Sequence, residues 1–118
     1  MIERLDHTNI EVSKQIHFVF QVSYAVEAEL LQAVNFPPLK RNLDDFLSSK
    51  TDFFGLWKAN ELAGVIEIKT EDDTTHIQSL VVHPNYFRQG LAQKLITFIF
   101  NNYNSNIFTV ETGVDNSP

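Results

Sequence analysis

The chain has no cysteine among its 118 residues. That excludes a disulfide framework and any thiolate metal site. No apolar run is long enough to cross a bilayer as a helix, and Met1-Ile2-Glu3-Arg4 does not open a signal peptide. Cationic residues are also scarce: nine Lys and Arg stand against fifteen Asp and Glu, a net charge of −6. Such a balance disfavours nucleic acid as the main partner and is compatible with a cationic amine. The expectation is a soluble, cytoplasmic protein with neither a nucleic-acid nor a membrane partner.

What is present is ordinary for a globular chain: 43% hydrophobic residues, 20% charged residues and ten Phe, enough for a core. The length predicts one domain. No internal repeat or low-complexity segment is evident. Ile2 and Leu5 suggest a short edge strand over Met1–Asp6. Asn9 is an N-cap candidate, with Glu11 in the first turn. Val12, Ile16, Val19, Val26, Leu30 and Val34 then recur at helical spacing, flanked by Phe20, Tyr24 and Leu31. The β-branched and aromatic middle of that helix places a break or bend near Ser23. Phe36-Pro37-Pro38 should end it, because proline removes a donor and restricts the residue before it. Leu43–Ser49 reads as a short second helix.

Phe53–Lys58, Leu62–Thr70 and Thr75–His83 read as three strands joined by short polar turns, hence an antiparallel meander. The acidic turn Glu71-Asp72-Asp73 is read as solvated, not as a metal site. The third strand alternates at Ile77 and becomes continuously apolar at Leu80-Val81-Val82. That pattern predicts burial on one face and then on both. Pro84 closes it. From Gly90 the period turns helical, with Leu91, Leu95 and Phe98 in one row and Ala92, Ile96, Ile99 and Tyr103 in the next. Asn101–Asn106 is read as loop. Ile107–Glu111 is read as a strand parallel to Thr75–His83, reached by a right-handed helical crossover. Gly90 sits where turn becomes helix. The absent side chain gives a ligand access to N–H groups with no intrahelical partner, and the dipole there favours phosphate. Arg88 adds a full positive charge.

The segment Val82-His83-Pro84-Asn85-Tyr86-Phe87-Arg88-Gln89-Gly90-Leu91-Ala92 resembles the coenzyme A loop of the GNAT N-acetyltransferases, whose pattern is roughly V-x-P-x-x-[RQ]-x-x-G-x-[GA]. Val82, Pro84, Gly90 and Ala92 fall in register. Phe87 occupies the usual Arg/Gln position, and the arginine follows at Arg88. The resemblance implies an α/β (α+β) fold: two N-terminal helices and a mixed sheet, with an antiparallel meander followed by a parallel βαβ unit. It implies acetyl-CoA as cofactor, contacted at Leu80, Val81, Val82, Phe87, Arg88, Gln89, Gly90, Leu91, Ala92, Gln93 and Asn116. It also implies direct acetyl transfer to a primary amine, with the two N-terminal helices lining the acceptor side. The family's next helix and last strands do not follow Asn116, so its usual acidic Tyr has no counterpart, and Tyr86 and Tyr103 do not match that position. A coenzyme A-binding or interaction module without catalysis is the alternative reading.

Acetyl transfer to an amine requires that the ammonium lose a proton and that the developing oxyanion meet a donor. The strand Leu80–Val82 can supply a backbone donor if it bulges or splays from the Ile107 strand. Three residues are candidates for the base. His76 carries an imidazole, a group able to move protons directly or through water, and lies near the position of a catalytic glutamate in some family members. Glu67 alternates with Ile66 and Ile68, and solvent exposure is its plainer reading. Gln78 cannot titrate but can orient a water. The plainer reading of His76 is a surface His at a strand start. His83 is read as shaping the turn. His7 and His17 are isolated, so no metal site is expected. Trp57, Phe53 and Phe54 are read as core before pocket wall. A sheet ending at Ile107–Glu111 leaves Phe100 and Phe108 without cover, so a homodimer through that surface is expected.

Overall fold

The computed structural model describes residues 1–30 and 41–110. Among them the elements are β1 (Ile2–Leu5), α1 (Ile10–Leu30), α2 (Leu43–Leu47), β2 (Asp52–Lys58), β3 (Glu61–Glu71), β4 (Thr74–Val82), a 3-10 turn (Pro84–Tyr86), α3 (Leu91–Asn102) and β5 (Ile107–Val110). The strands form one sheet in chain order, β1-β2-β3-β4-β5. The first four pair antiparallel and β4 pairs parallel with β5. This is the mixed architecture that the resemblance implied.

Local chemistry accounts for the joints. Asn9 caps α1, its Oδ1 accepting from the N–H of Glu11 at 2.9 Å. Asn42 and Asp45 exchange side-chain-to-backbone bonds in a capping box that starts the five-residue α2. The β2–β3 hairpin turns on Ala59 and Asn60, both at positive φ (51° and 65°), the sense of turn that matches strand twist. Gly55 is required by close approach, since a Cβ there would lie 2.6 Å from Leu62 Cδ1 and 2.8 Å from Leu5 Cδ1.

Two cores lie on opposite faces of the sheet. On one, α1 and α2 bring Ile16, Val19, Phe20 and Phe46 onto Leu5, Phe53, Leu62, Val65 and Val81. On the other, α3 lays Leu91, Leu95 and Ile99 on Phe54, Leu56, Ile66, Ile68 and Ile77. Phe53 and Phe54 are thus core on opposite faces, and Trp57 is half-buried with its Nε1 donating to Glu3.

Several expectations need correction. α1 runs unbroken through Ser23, because its β-branched and aromatic residues are the ones it packs on the sheet. The expected continuation to Val34 and the Pro37-Pro38 stop lie outside the described residues, as does Glu111. α3 extends to Asn102, so the loop after it is shorter than the Asn101–Asn106 expected. The end of β4 is not buried on both faces: Val81 is buried, whereas Leu80 and Val82 are half-buried on the α3 side. Phe108 is not bare. Its ring meets that of Phe100 edge-on at 4.8 Å, leaving Phe100 half exposed.

Phe46 is wholly buried and touches the rings of Phe20 and Phe53. Phe46→Ala should lower the unfolding free energy by about 3–5 kcal/mol, whereas Phe18→Ala, at an exposed position, should change it by less than about 1 kcal/mol. Urea denaturation of the two variants checks the contrast.

Candidate active site

The β3–β4 pairing carries an irregularity that organises the site. Glu67 pairs with Ser79, but its neighbour Ile68 pairs with Ile77, so Gln78 is an extra residue in β4. A bulge of this kind turns two consecutive side chains toward one face. Gln78 and Ser79 both reach Glu67, on the α1–α2 face, while Ile77 before them and Leu80 after them pack on the α3 side. The strand was expected to serve as a donor only if it bulged or splayed from the Ile107 strand; the bulge at Gln78 lies instead in its pairing with β3.

Beyond the bulge, His83 donates its N–H to Ala63 at 2.7 Å. Antiparallel bonds alternate along a strand, so Val81 also turns its N–H toward β3, and Leu80 and Val82 turn theirs outward. Among the described residues, β5 pairs only with Thr74–Ile77. The outward N–H groups of Leu80 and Val82 therefore lie along an edge that β5 does not cover.

That edge leads into the Gly90 loop. The 3-10 turn is shaped by His83, whose Nδ1 accepts from the N–H of Asn85, as expected for a turn residue. Tyr86 fastens it by donating from its hydroxyl to Glu61 at 2.7 Å. Arg88 and Gly90 follow at positive φ, 65° and 75°. Gly90 caps α3 without a side-chain hydrogen bond, and a Cβ placed on it would meet no atom within 4 Å. The start of α3 thus presents N–H groups into open space, donors of the kind that bind a phosphate. Phe87, Arg88, Gln89 and Gln93 are exposed around it, Ala92 is half-buried, and Leu91 anchors the helix in the core. Asn116 lies outside the described residues.

The candidate bases have very different surroundings. Glu67 is fully buried, not solvent-exposed as its alternation suggested. The bulge and the segment before α2 close over it. Arg41 holds it with two bonds, Nη1 to Oε1 at 2.7 Å and Nη2 to Oε2 at 2.9 Å. Thr51 Oγ1 donates to Oε2 at 2.6 Å, and Gln78 Nε2 donates to it at 3.5 Å. Burial alone pushes this carboxyl up. Arg41, Thr51 and Ser79 outweigh it and hold the group below its ordinary range. Arg41 is itself packed on aromatic faces, its Cζ 4.2 Å from the Phe46 ring centroid, 5.6 Å from Phe20 and 5.8 Å from Phe53. His76 stands on the same face of β4, half-buried and cross-strand from Lys69. Its Nδ1 lies 2.6 Å from Thr109 Oγ1 on β5. Sequence reasoning missed Arg41, Thr51, Ser79 and Thr109, which reach the site only through folding. His7 and His17 stay apart, contacting Phe53 and Phe46, and no metal-holding cluster occurs among the described residues. No helix among them is long and apolar enough to cross a membrane.

Comparison with known proteins agrees with this architecture. A family model described as an acetyltransferase (GNAT) domain matches residues 20–118. The UPF0157 protein YqkA of Bacillus subtilis (strain 168) is 31% identical over 119 residues, covering all of this chain but only 35% of that protein. The chain therefore spans about a third of the length of this curated relative. A possible acetyltransferase from Clostridium difficile 630 superposes with a TM-score of 0.69 at 16% identity, over 99% of this chain and 82% of that one. PaiA N-acetyltransferase from Thermoplasma acidophilum, solved in complex with coenzyme A, superposes with a TM-score of 0.60 at 18% identity, over 86% of this chain and 70% of that one.

The Glu67 environment has a measurable signature. Its carboxyl is depressed on folding, so it contributes stability above its ordinary value of 4.5, and that stability is lost as pH falls through the lower folded value. In Arg41→Ala, burial without the guanidinium should raise the carboxyl instead. The variant should lose about 3–5 kcal/mol at pH 7 and regain part of it as pH falls from 7 to 5, where the wild-type contribution is flat. Denaturant unfolding across that pH range checks both the size and the sign.

Proposed function

The chain belongs to the GNAT acetyltransferase family, and on that premise we propose that it transfers an acetyl group directly from acetyl-CoA to a primary amine. The observation that carries the reading is the continuity of two donor surfaces: the outer edge of β4 at Leu80 and Val82, and the open start of α3 at Gly90. Acetyl-CoA would supply the acyl group activated as a thioester. The N–H groups at the start of α3, with Arg88 beside them, would hold its pyrophosphate. The Leu80 and Val82 N–H groups would hold the pantetheine and the thioester carbonyl oxygen. The coenzyme A complex of the Thermoplasma neighbour supports the donor, and that protein's description as an N-acetyltransferase supports an amine as acceptor.

His76 is the base in this reading. Thr109 orients its ring on the face shared with the bulge, and an imidazole exchanges protons near neutral pH. It would take the proton of the incoming ammonium so that the nitrogen lone pair can attack. The C–N bond forms first, giving the tetrahedral oxyanion; this then collapses with cleavage of the C–S bond, and the proton shed by the acylated nitrogen goes to the departing coenzyme A thiolate. Glu67, already engaged by Arg41, Thr51 and Gln78, is a poorer base because its carboxylate is depressed.

Calorimetry with acetyl-CoA tests the donor site. Gly90→Val should abolish binding while the domain still folds, because the branched side chain occupies that open space. Arg88→Ala should weaken binding by about 1 kcal/mol, as for an exposed charge-assisted contact. Undiminished affinity in a folded Gly90→Val variant removes the loop from the reading. Thiol release over a panel of amines tests the reaction. There His76→Ala should lower turnover at least 100-fold with little change in acetyl-CoA affinity, and should remove the acidic limb of the pH profile. An unchanged rate sinks the assignment of His76.

A further inference from the structure

The bulge in β4 is held from one side by a single carboxylate. Glu67 accepts from Gln78, the extra residue, at 3.5 Å, and Ser79, the residue after it, is its cross-strand partner. The same carboxylate binds Arg41 in front of α2 and Thr51 in front of β2, and Ser49 Oγ lies 2.5 Å from Thr51 Oγ1. Every buried polar side-chain atom among the described residues has a partner, so this network is closed. A regular strand would send Gln78 and Ser79 to opposite faces. Only the bulge brings both to the Glu67 side of the strand, where the carboxylate accepts from Gln78. The bulge immediately precedes Leu80, whose N–H faces the edge of β4 that β5 does not cover among the described residues.

We propose that Glu67, locked by Arg41, is a positioning residue that holds the β4 bulge in place and thereby aims the Leu80 N–H at the reacting carbonyl. The inference rests on the acetyl-transfer reading and deepens it. Glu67 touches neither donor nor acceptor; it acts through Gln78 and Ser79. Its loss should therefore depress the chemical step and leave most of the coenzyme A affinity in place, because the Gly90 loop and Val82 still hold the pyrophosphate and pantetheine. A donor aimed at developing charge is typically worth one to three powers of ten in rate.

The test uses the double variant Arg41→Met/Glu67→Met in the full chain. Replacing a buried ion pair by apolar residues of similar volume is often tolerated, whereas removing one partner is not. Three quantities are read: acetyl-CoA affinity by calorimetry, single-turnover acetyl transfer at saturating acetyl-CoA, and amide hydrogen exchange at Gln78 and Ser79. The expected result is affinity within threefold of wild type, transfer at least tenfold slower, and exchange at those two amides at least tenfold faster with the rest of the sheet unchanged. Wild-type exchange at the bulge in a folded double variant overturns the lock. Faster exchange with an unchanged transfer rate overturns its role in positioning. If the wild-type chain transfers acetyl to no amine, the acetyl-transfer reading fails by itself, and with it the aim at a carbonyl, while the exchange measurement still decides whether Glu67 holds the bulge. If the double variant does not fold, Thr51→Val removes one donor and leaves the ion pair. It should move exchange and transfer the same way by threefold or more, and no change in either overturns the proposal.

Discussion

A carboxylate with no exposed surface, gripped by a guanidinium that lies on three phenyl rings, is the constraint to which the rest of this fold conforms. Burying either charge alone would cost several kcal/mol. The pair is tolerable because Arg41 brings two parallel bonds and because Phe20, Phe46 and Phe53 present ring faces to its planar cation. Thr51 and Gln78 take up further lone pairs of the carboxylate. Segments 26, 16 and 11 residues away in the chain are thereby tied to one atom pair on β3. The aromatic core on the α1–α2 face and the irregular strand beside it are two consequences of the same burial.

The second organising feature is the offset between β4 and β5. Pairing of β5 with only the first half of β4 leaves the second half free on its outer side among the described residues. The chain then passes directly into a turn with two residues at positive φ and a helix start without a side-chain cap. Donor groups on the strand and on the helix are thus presented in sequence along one path. Among the described residues, this arrangement follows from the extent of the β4–β5 pairing.

Much of this was legible in the residues. Periodicity located the long first helix, the meander and the α3 helix, and the Val82–Ala92 segment carried the family resemblance. Burial misled in two places. Leu80-Val81-Val82 is apolar for different reasons on its two faces, so a continuous run did not mean full burial. Glu67 sits between Ile66 and Ile68 in a polar position by pattern, yet its face is covered by α1, α2 and the segment carrying Arg41. No local signal reports that cover, because Arg41 is 26 residues away and its own neighbours are polar. One trace of the bulge was available. Ile77 and Leu80 both face α3 although three residues apart, a spacing that strict alternation forbids.

That odd spacing bears on the length of the strand. If Gln78 were deleted, Ile77, Ser79, Leu80 and Val81 would alternate regularly, and each would keep the face it now occupies. Packing therefore has no use for the extra residue, and the ladder would be better without it. β4 is one residue longer than its core demands. The count of residues between Ile77 and Leu80, more than their identity, is where the needs of folding and the needs of the site part company.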